Sequence, residues 1–328
     1  MVRNKSPFLY IEEKIANSME YINTLCPICD SKDDYTIIYK RNFNESDFNA
    51  DVFSARRLPD RVHYQIVRCN NDGLIRSNPV LDVGALNSLY KDSKFKYNEE
   101  TENLTISYLE ALEYVLCRLP KTARILEIGC GNGFVIKALY DKGYKNIFGI
   151  EPSADAVQKA DIVIQNKIIV DIFKPGIFQP NSFDFIYFFQ TFDHIGYPND
   201  FLKLCYSLLL PGGNILAFNH DIDSLPVKIL GEKNPIIDIE HIYLYNKKTI
   251  KKIFEKNNFQ IIKVYSSCNI VSFKYLIWLI PLWKTVKLWV LNLKDVFFGA
   301  LLRKKIRIML GNLCIIAIKP PAKGASEL

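Results

Sequence analysis

Ile125-Leu126-Glu127-Ile128-Gly129-Cys130-Gly131-Asn132-Gly133-Phe134 is the stretch that decides how this chain folds. Its first residues read as a buried strand, its glycines as a tight turn, and Phe134 as the start of a helix. Glycines at 129, 131 and 133 remove the side chains that would keep a ligand off the backbone. The next strand, Ile147-Phe148-Gly149-Ile150-Glu151, closes on an acid, and a carboxylate there can accept both hydroxyls of a ribose. A glycine turn followed about twenty residues later by a strand-end acid describes a nucleoside-binding α/β domain.

The dinucleotide fingerprint asks for G-x-G-x-x-G. Here the pattern is E-x-G-x-G-x-G, with Glu127 inside the strand end. This resembles the first motif of class I S-adenosylmethionine (SAM) methyltransferases. Ile169-Val170-Asp171-Ile172 resembles that family's third motif, whose acid meets the adenine amine. Phe183-Asp184-Phe185-Ile186-Tyr187 resembles the fourth strand, and Leu208-Leu209-Leu210-Pro211-Gly212-Gly213 the turn before the fifth. The resemblance covers roughly residues 100–265 and 313–319. It implies a Rossmann-like sheet of seven strands, the last antiparallel, with SAM as cofactor. The SAM contacts it implies are Glu127, Gly129, Cys130, Gly131, Gly133, Glu151, Pro152, Asp171 and Gln190. A NAD or flavin domain is the alternative, because fold does not fix function.

At 328 residues, nearly half of them hydrophobic, the chain can hold one large domain and a small one. Met1 to Tyr21 is interrupted by charges and has no apolar run, so no export signal is expected. Eight cysteines at irregular spacing then read as reduced thiols in a cytoplasm.

Residues 1–95 are expected to form an N-terminal module and linker, and 96–328 the catalytic domain. The module opens with Cys26-Pro27-Ile28-Cys29, a knuckle suited to a tetrahedral metal. Val67-Arg68-Cys69-Asn70-Asn71-Asp72-Gly73-Leu74 has the shape of a second knuckle, with Asp72 at the place of a fourth cysteine. The pair resembles the zinc-binding module of bacterial sugar methyltransferases, which carries C-x-x-C and C-x-x-C-G. The metal set is then Cys26, Cys29, Cys69 and Asp72 around a structural zinc, with His63 as another fourth ligand. A decayed knuckle held by packing alone is the alternative. Beyond it, Leu104, Tyr108, Leu112, Val115 and Leu119 recur at helical spacing, so Asn98 to Leu119 is expected to be an amphipathic helix ended by Pro120.

Ligands of open α/β sheets bind beyond the carboxyl ends of the strands. Three of the four histidines, His194, His220 and His241, fall in segments expected there. A hydroxyl acceptor must lose its proton during methylation, and imidazole titrates near neutral pH. Asp193, Asp221 and Glu240 each adjoin one of these histidines, although neighbours on a strand point opposite ways. The alternative roles are shaping the pocket for His194, a satisfied strand end for His220 and a loop hydrogen bond for His241. After the fourth strand the chain reads Gln190-Thr191-Phe192-Asp193 and lacks the Asn/Asp-Pro-Pro-aromatic turn of base-amine methyltransferases. Nucleic acid is therefore not expected as a partner.

The sixth strand is expected at Phe259–Tyr265 and the seventh at Leu313–Lys319, with a helical insert over 266–312. The insert holds Trp278, Trp283 and Trp289, and eight basic residues against the single acid Asp295. One reading is a lid packed on the catalytic domain. The other is a peripheral membrane contact, since tryptophans with basic rims favour anionic headgroups.

The resemblance implies methyl transfer to a sugar hydroxyl or carbon on a nucleotide-linked or lipid-linked saccharide. The expected location is the cytoplasm, or the inner face of its membrane. Two alternatives remain: a methyltransferase of a lipid or other apolar small molecule, and a SAM-binding, membrane-associated protein without catalysis.

Overall fold

The computed structural model describes residues 20–44, 62–92, 101–273, 276 and 304–321. The N-terminal segment carries β1 (Tyr21–Ile22), β2 (Tyr35–Tyr39), β3 (Ile66–Cys69), β4 (Ile75–Ser77) and β5 (Val80–Leu81), followed by the helix Val83–Asp92. β1 pairs with β5, and β2, β3 and β4 form an antiparallel meander.

The rest carries β6 (Ile125–Ile128), β7 (Ile147–Glu151), β8 (Ile168–Val170), β9 (Phe183–Phe189), β10 (Leu209–His220), β11 (Tyr243–Leu244), β12 (Gln260–Ser272) and β13 (Lys305–Ile318). Seven of these form one sheet in the order β12-β13-β10-β9-β6-β7-β8. β6 to β10 are parallel neighbours, and β13 runs antiparallel to both β10 and β12. This is the Rossmann-like methyltransferase fold that the motifs imply.

The sequence of β9, Phe-Asp-Phe-Ile-Tyr-Phe-Phe, explains its central place. Strands covered on both faces read as near-continuous apolar runs. Successive side chains leave opposite faces. Phe185, Tyr187 and Phe189 pack with Tyr108, Leu112 and Ile136 on one side. Ile186 and Phe188 pack with Leu202, Ile250 and Phe254 on the other. The described part of the expected helix runs Thr101–Leu116 and ends three residues before Leu119. Its Tyr108 stacks on Phe189 with ring centroids 3.9 Å apart, which seats the helix over the carboxyl end of β9.

Two boundaries differ from the sequence reading. β12 runs on to Ser272 and β13 starts at Lys305, with Ser267 paired to Asn312 and Ser272 to Lys305. Residues 305–310 alternate exposed charge or Met with half-buried Ile or Leu, the period of a strand. The paired strands thus take over both ends of the expected helical insert, and its three tryptophans lie outside the described residues.

The N-terminal sheet also takes a strand from the rest of the chain. β11, from the long connection after β10, pairs with β4 and supplies the fourth strand of the N-terminal sheet. Side chains join the two parts as well: Asn199 Nδ2 donates to the Pro27 carbonyl at 2.8 Å, and Lys256 pairs with Asp30 at 2.7 Å.

Candidate active site and metal knuckle

The glycine turn after β6 is built for close approach. Gly129 has φ 71°, and a Cβ there would stand 2.5 Å from Thr191 Oγ1. Gly131, at φ 55°, donates its N–H to Glu151 Oε2 at 2.8 Å. The other oxygen, Oε1, accepts from Ser153 N at 3.0 Å. Burial raises the Glu151 carboxyl above its usual value, while these two amides pull it down. Each oxygen keeps a second lone pair, so the carboxylate can still receive ribose hydroxyls.

The remaining residues of the implied SAM site fall around this turn. Glu127 is buried beneath it and accepts from Tyr187 Oη at 3.1 Å. Cys130 packs its thiol against Gly149, where an added Cβ would meet the sulfur at 2.7 Å. Only its backbone can therefore face a ligand. Gly133 caps the helix Phe134–Asp141, and the half-buried Pro152 opens the turn after β7. Asp171 follows β8, and its hydrogen bond from Lys174 and the Ile172 amide lower its pKa. Gln190 follows β9 at φ 48°, a left-handed conformation uncommon for a side-chain-bearing residue and frequent at functional sites. Glycine cradle, strand-end acid and shaped turn fit SAM.

One turn further on, three histidines and one carboxylate come together. Asp193 sits in the short 3₁₀ turn Phe192–His194 after β9, His220 is the last residue of β10, and His241 precedes β11. His241 Nε2 stands 3.7 Å from Asp193 Oδ2, and His194 Nε2 3.8 Å from Asp193 Oδ1. The His194 and His241 rings are 4.8 Å apart, and those of His220 and His241 5.2 Å. Asp193 is 1% exposed, and among the described residues neither of its oxygens makes a hydrogen bond of standard geometry. Burial pushes its carboxyl up to about 7, against the pull of the nearby amides of Asp193 and His220 and of the Asn219 side chain. Burial likewise lowers the His220 imidazole to about 4.

The backbone pins this cluster. Phe192 is fully buried and stacks on Tyr245 at 5.1 Å. Ile242 N donates to the Asp193 carbonyl at 2.8 Å. Ser77 Oγ donates to the His241 carbonyl at 2.8 Å, and Ser77 N to that of Ile242 at 2.8 Å. The N-terminal sheet therefore positions one of the histidines.

One of the three sequence-adjacent acids faces two of the histidines. Asp193 is shared by His194 and His241, whereas Asp221 accepts from the Asp223 amide at 3.0 Å and does not pair with His220. Tyr90, from the helix Val83–Asp92, was not anticipated. Its hydroxyl lies 3.0 Å from His194 Nδ1. No signal in the sequence links residues 104 positions apart.

The knuckle residues also converge. Cys26 Sγ lies 3.0 Å from Asp72 Oδ2, Cys69 Sγ 3.5 Å from the same oxygen, and Cys29 Sγ 3.5 Å from Cys69 Sγ. All four donors lie within 4.8 Å of one another. A tetrahedral ion with Zn–S bonds of about 2.3 Å needs donors roughly 3.5–3.8 Å apart, so this set fits zinc. His63 stands outside it, with Nδ1 at 2.7 Å from the Tyr64 carbonyl and Nε2 at 3.1 Å from Glu232.

The family model described as a methyltransferase domain matches residues 98–264, half of the chain. The chain belongs to that family, and the segment is a class I SAM-dependent methyltransferase domain. Among curated proteins it is similar to the ubiquinone biosynthesis O-methyltransferase of Xanthomonas euvesicatoria pv. vesicatoria, 30% identical over 111 residues, 32% of this chain and 46% of that one. The mitochondrial ubiquinone biosynthesis O-methyltransferase of Saccharomyces cerevisiae is 27% identical over 195 residues, 55% of this chain and 61% of that one. The chain thus spans about half the length of the curated relatives it matches. Among solved structures, a SAM-dependent methyltransferase from Archaeoglobus fulgidus aligns with a TM-score of 0.45 at 19% identity, covering 67% of this chain and 97% of that one.

Proposed function

We propose that this protein transfers a methyl group from SAM to a hydroxyl of a saccharide carried on a nucleotide or a lipid. The observation that carries the reading is the buried Asp193 carboxylate between the His194 and His241 imidazoles, at the carboxyl ends of β9 and β10. When bound, SAM supplies a methyl already activated by its sulfonium. The chain has two tasks left. It must align acceptor and donor, and it must take the acceptor's proton. The glycine turn, Glu151 and Asp171 hold the donor. The Asp193–imidazole cluster receives the proton, with Tyr90 fixing the ring of His194. Hydroxyl is preferred to carbon as the acceptor because the curated relatives are named O-methyltransferases.

The saccharide rests on the four knuckle donors, whose convergence supports the likeness to zinc-bearing sugar methyltransferases. In that reading Cys26, Cys29, Cys69 and Asp72 hold a structural zinc. The names of the curated relatives favour a second reading, a hydroxyl on an apolar small molecule. Leu225 and Ile229, both largely exposed on the short helix after β10, offer an apolar surface for either a lipid carrier or an apolar acceptor. Among the described residues no helix is long and apolar enough to cross a membrane. Peripheral membrane contact through 266–312 is part of the proposal.

Following the labelled methyl of SAM in an extract of the host cell tests the assignment. A methyl ether on a sugar supports it. Label on an apolar phenol or alcohol favours the second reading, and label only on nitrogen overturns both.

A further inference from the structure

We propose that Asp193, His220 and His241 bind a divalent transition-metal ion that carries the acceptor hydroxyl. The inference rests on the hydroxyl-methylation reading above and deepens it. One carboxylate oxygen and one ring nitrogen from each histidine lie within 4.8 Å of one another. Metal–ligand bonds of about 2.0–2.2 Å require donors about 3 Å apart, so side-chain rotations of roughly an ångström close the set.

A metal accounts for features that proton transfer alone leaves unexplained. Asp193 is buried, and neither oxygen has a hydrogen bond of standard geometry among the described residues. A buried carboxylate in that condition is costly unless it is paired or coordinates a cation. The Asn219 side chain, fully buried at the end of β10, and the amides of Asp193 and His220 are the other polar groups that act on this carboxylate. The three ligand backbones are fixed by the stacked Phe192, the end of a central strand and the Ser77 hydrogen bonds, which is the rigidity a metal site needs.

The donor set also sets the metal and its work. Two imidazoles and one carboxylate suit Zn²⁺, Mn²⁺ or Fe²⁺ better than Mg²⁺, and three protein ligands leave positions open for substrate. A hydroxyl bound there is acidified. His194 stands outside the ligand set, with Nδ1 at the Tyr90 hydroxyl and Nε2 facing Asp193. The hydroxyl O–H bond breaks, the proton goes to His194 Nε2, the oxygen forms its bond to the methyl, and the sulfur departs as a neutral thioether. A vicinal diol would occupy two open positions, so the site favours a diol-bearing acceptor.

The test is a Co²⁺ titration of the chelator-treated full-length protein, read by absorption, with methyl transfer measured in parallel. The knuckle thiolates give an intense sulfur-to-cobalt band; the proposed site adds a second equivalent with weak d–d bands only. His220→Gln and His241→Gln should each remove that second equivalent and keep the thiolate band, which reports an intact fold. Chelated protein should lose at least tenfold in transfer to hydroxyl and recover it with Mn²⁺ or Co²⁺, while SAM affinity stays unchanged. Full transfer by metal-free protein, or no second equivalent, overturns the metal site and leaves the hydroxyl reading standing. A second equivalent in a protein that methylates only nitrogen would overturn the hydroxyl reading and, with it, the metal's role as hydroxyl carrier.

Discussion

His241 and Asp193 lie 48 residues apart in sequence, yet their Nε2 and Oδ2 atoms stand 3.7 Å apart at the carboxyl end of the sheet. The contact joins the turn after β9 to the connection that completes the N-terminal sheet. The histidine cluster and the N-terminal segment are thereby tied through one residue.

His194→Ala should lower kcat by roughly 10²- to 10⁴-fold, the range for losing a general base, and Asp193→Asn should fall in the same range. Neither side chain is in the glycine cradle, so SAM affinity measured by calorimetry should be retained.

Gly129→Ala should be far more damaging than its single methyl suggests. The residue has φ 71°, and the added carbon would meet Thr191 Oγ1 at 2.5 Å. Strain of this kind costs about 1–3 kcal/mol. Denaturant melts should show that loss, and calorimetry should show SAM binding falling at least tenfold.

Glu151→Ala removes the acceptor of two backbone N–H groups as well as the ribose ligand. SAM affinity should drop at least tenfold, with little effect of acceptor concentration. Unchanged affinity would move the ribose site elsewhere.

Ser77→Ala tests the link between the parts of the chain. It deletes the hydrogen bond to the His241 carbonyl but touches no proposed ligand side chain. The expected result is a loss of about 1 kcal/mol in stability, the scale of a single hydrogen bond, together with a lower kcat at unchanged SAM affinity.

Metal analysis of the Cys26, Cys29, Cys69 and Asp72 knuckle should find one zinc that Cys29→Ser releases. Loss of the ion should lower the melting temperature, because a structural zinc contributes to folding directly. Metal-free protein with an unchanged melt would make the knuckle a packing element.

The main sheet was legible because local signals there agree with the global fold: glycine turn, strand-end acid, and a β9 too apolar to lie anywhere but the centre. The approach of the three histidines was legible for a topological reason, since parallel strands deliver their carboxyl ends to one place. Their partners were not. Asp193 serves two imidazoles because a 3₁₀ turn rotates it inward, and turn geometry is not encoded by spacing. Tyr90 and Ser77 reach the site by packing of segments more than 100 residues away in sequence. The extended hairpin was missed for a different reason. The tryptophans and lysines of 266–312 give the segment a helix-like composition, while the two-residue alternation of 305–310 carries the strand.

The most direct test of the central claim combines purified protein, methyl-labelled SAM and an extract of the host cell, with wild type and His194→Ala run side by side. The account predicts a labelled methyl ether on a hydroxyl-bearing saccharide, formed by wild type and reduced at least a hundredfold by the variant. Label on nitrogen, or equal labelling by both proteins, would contradict it.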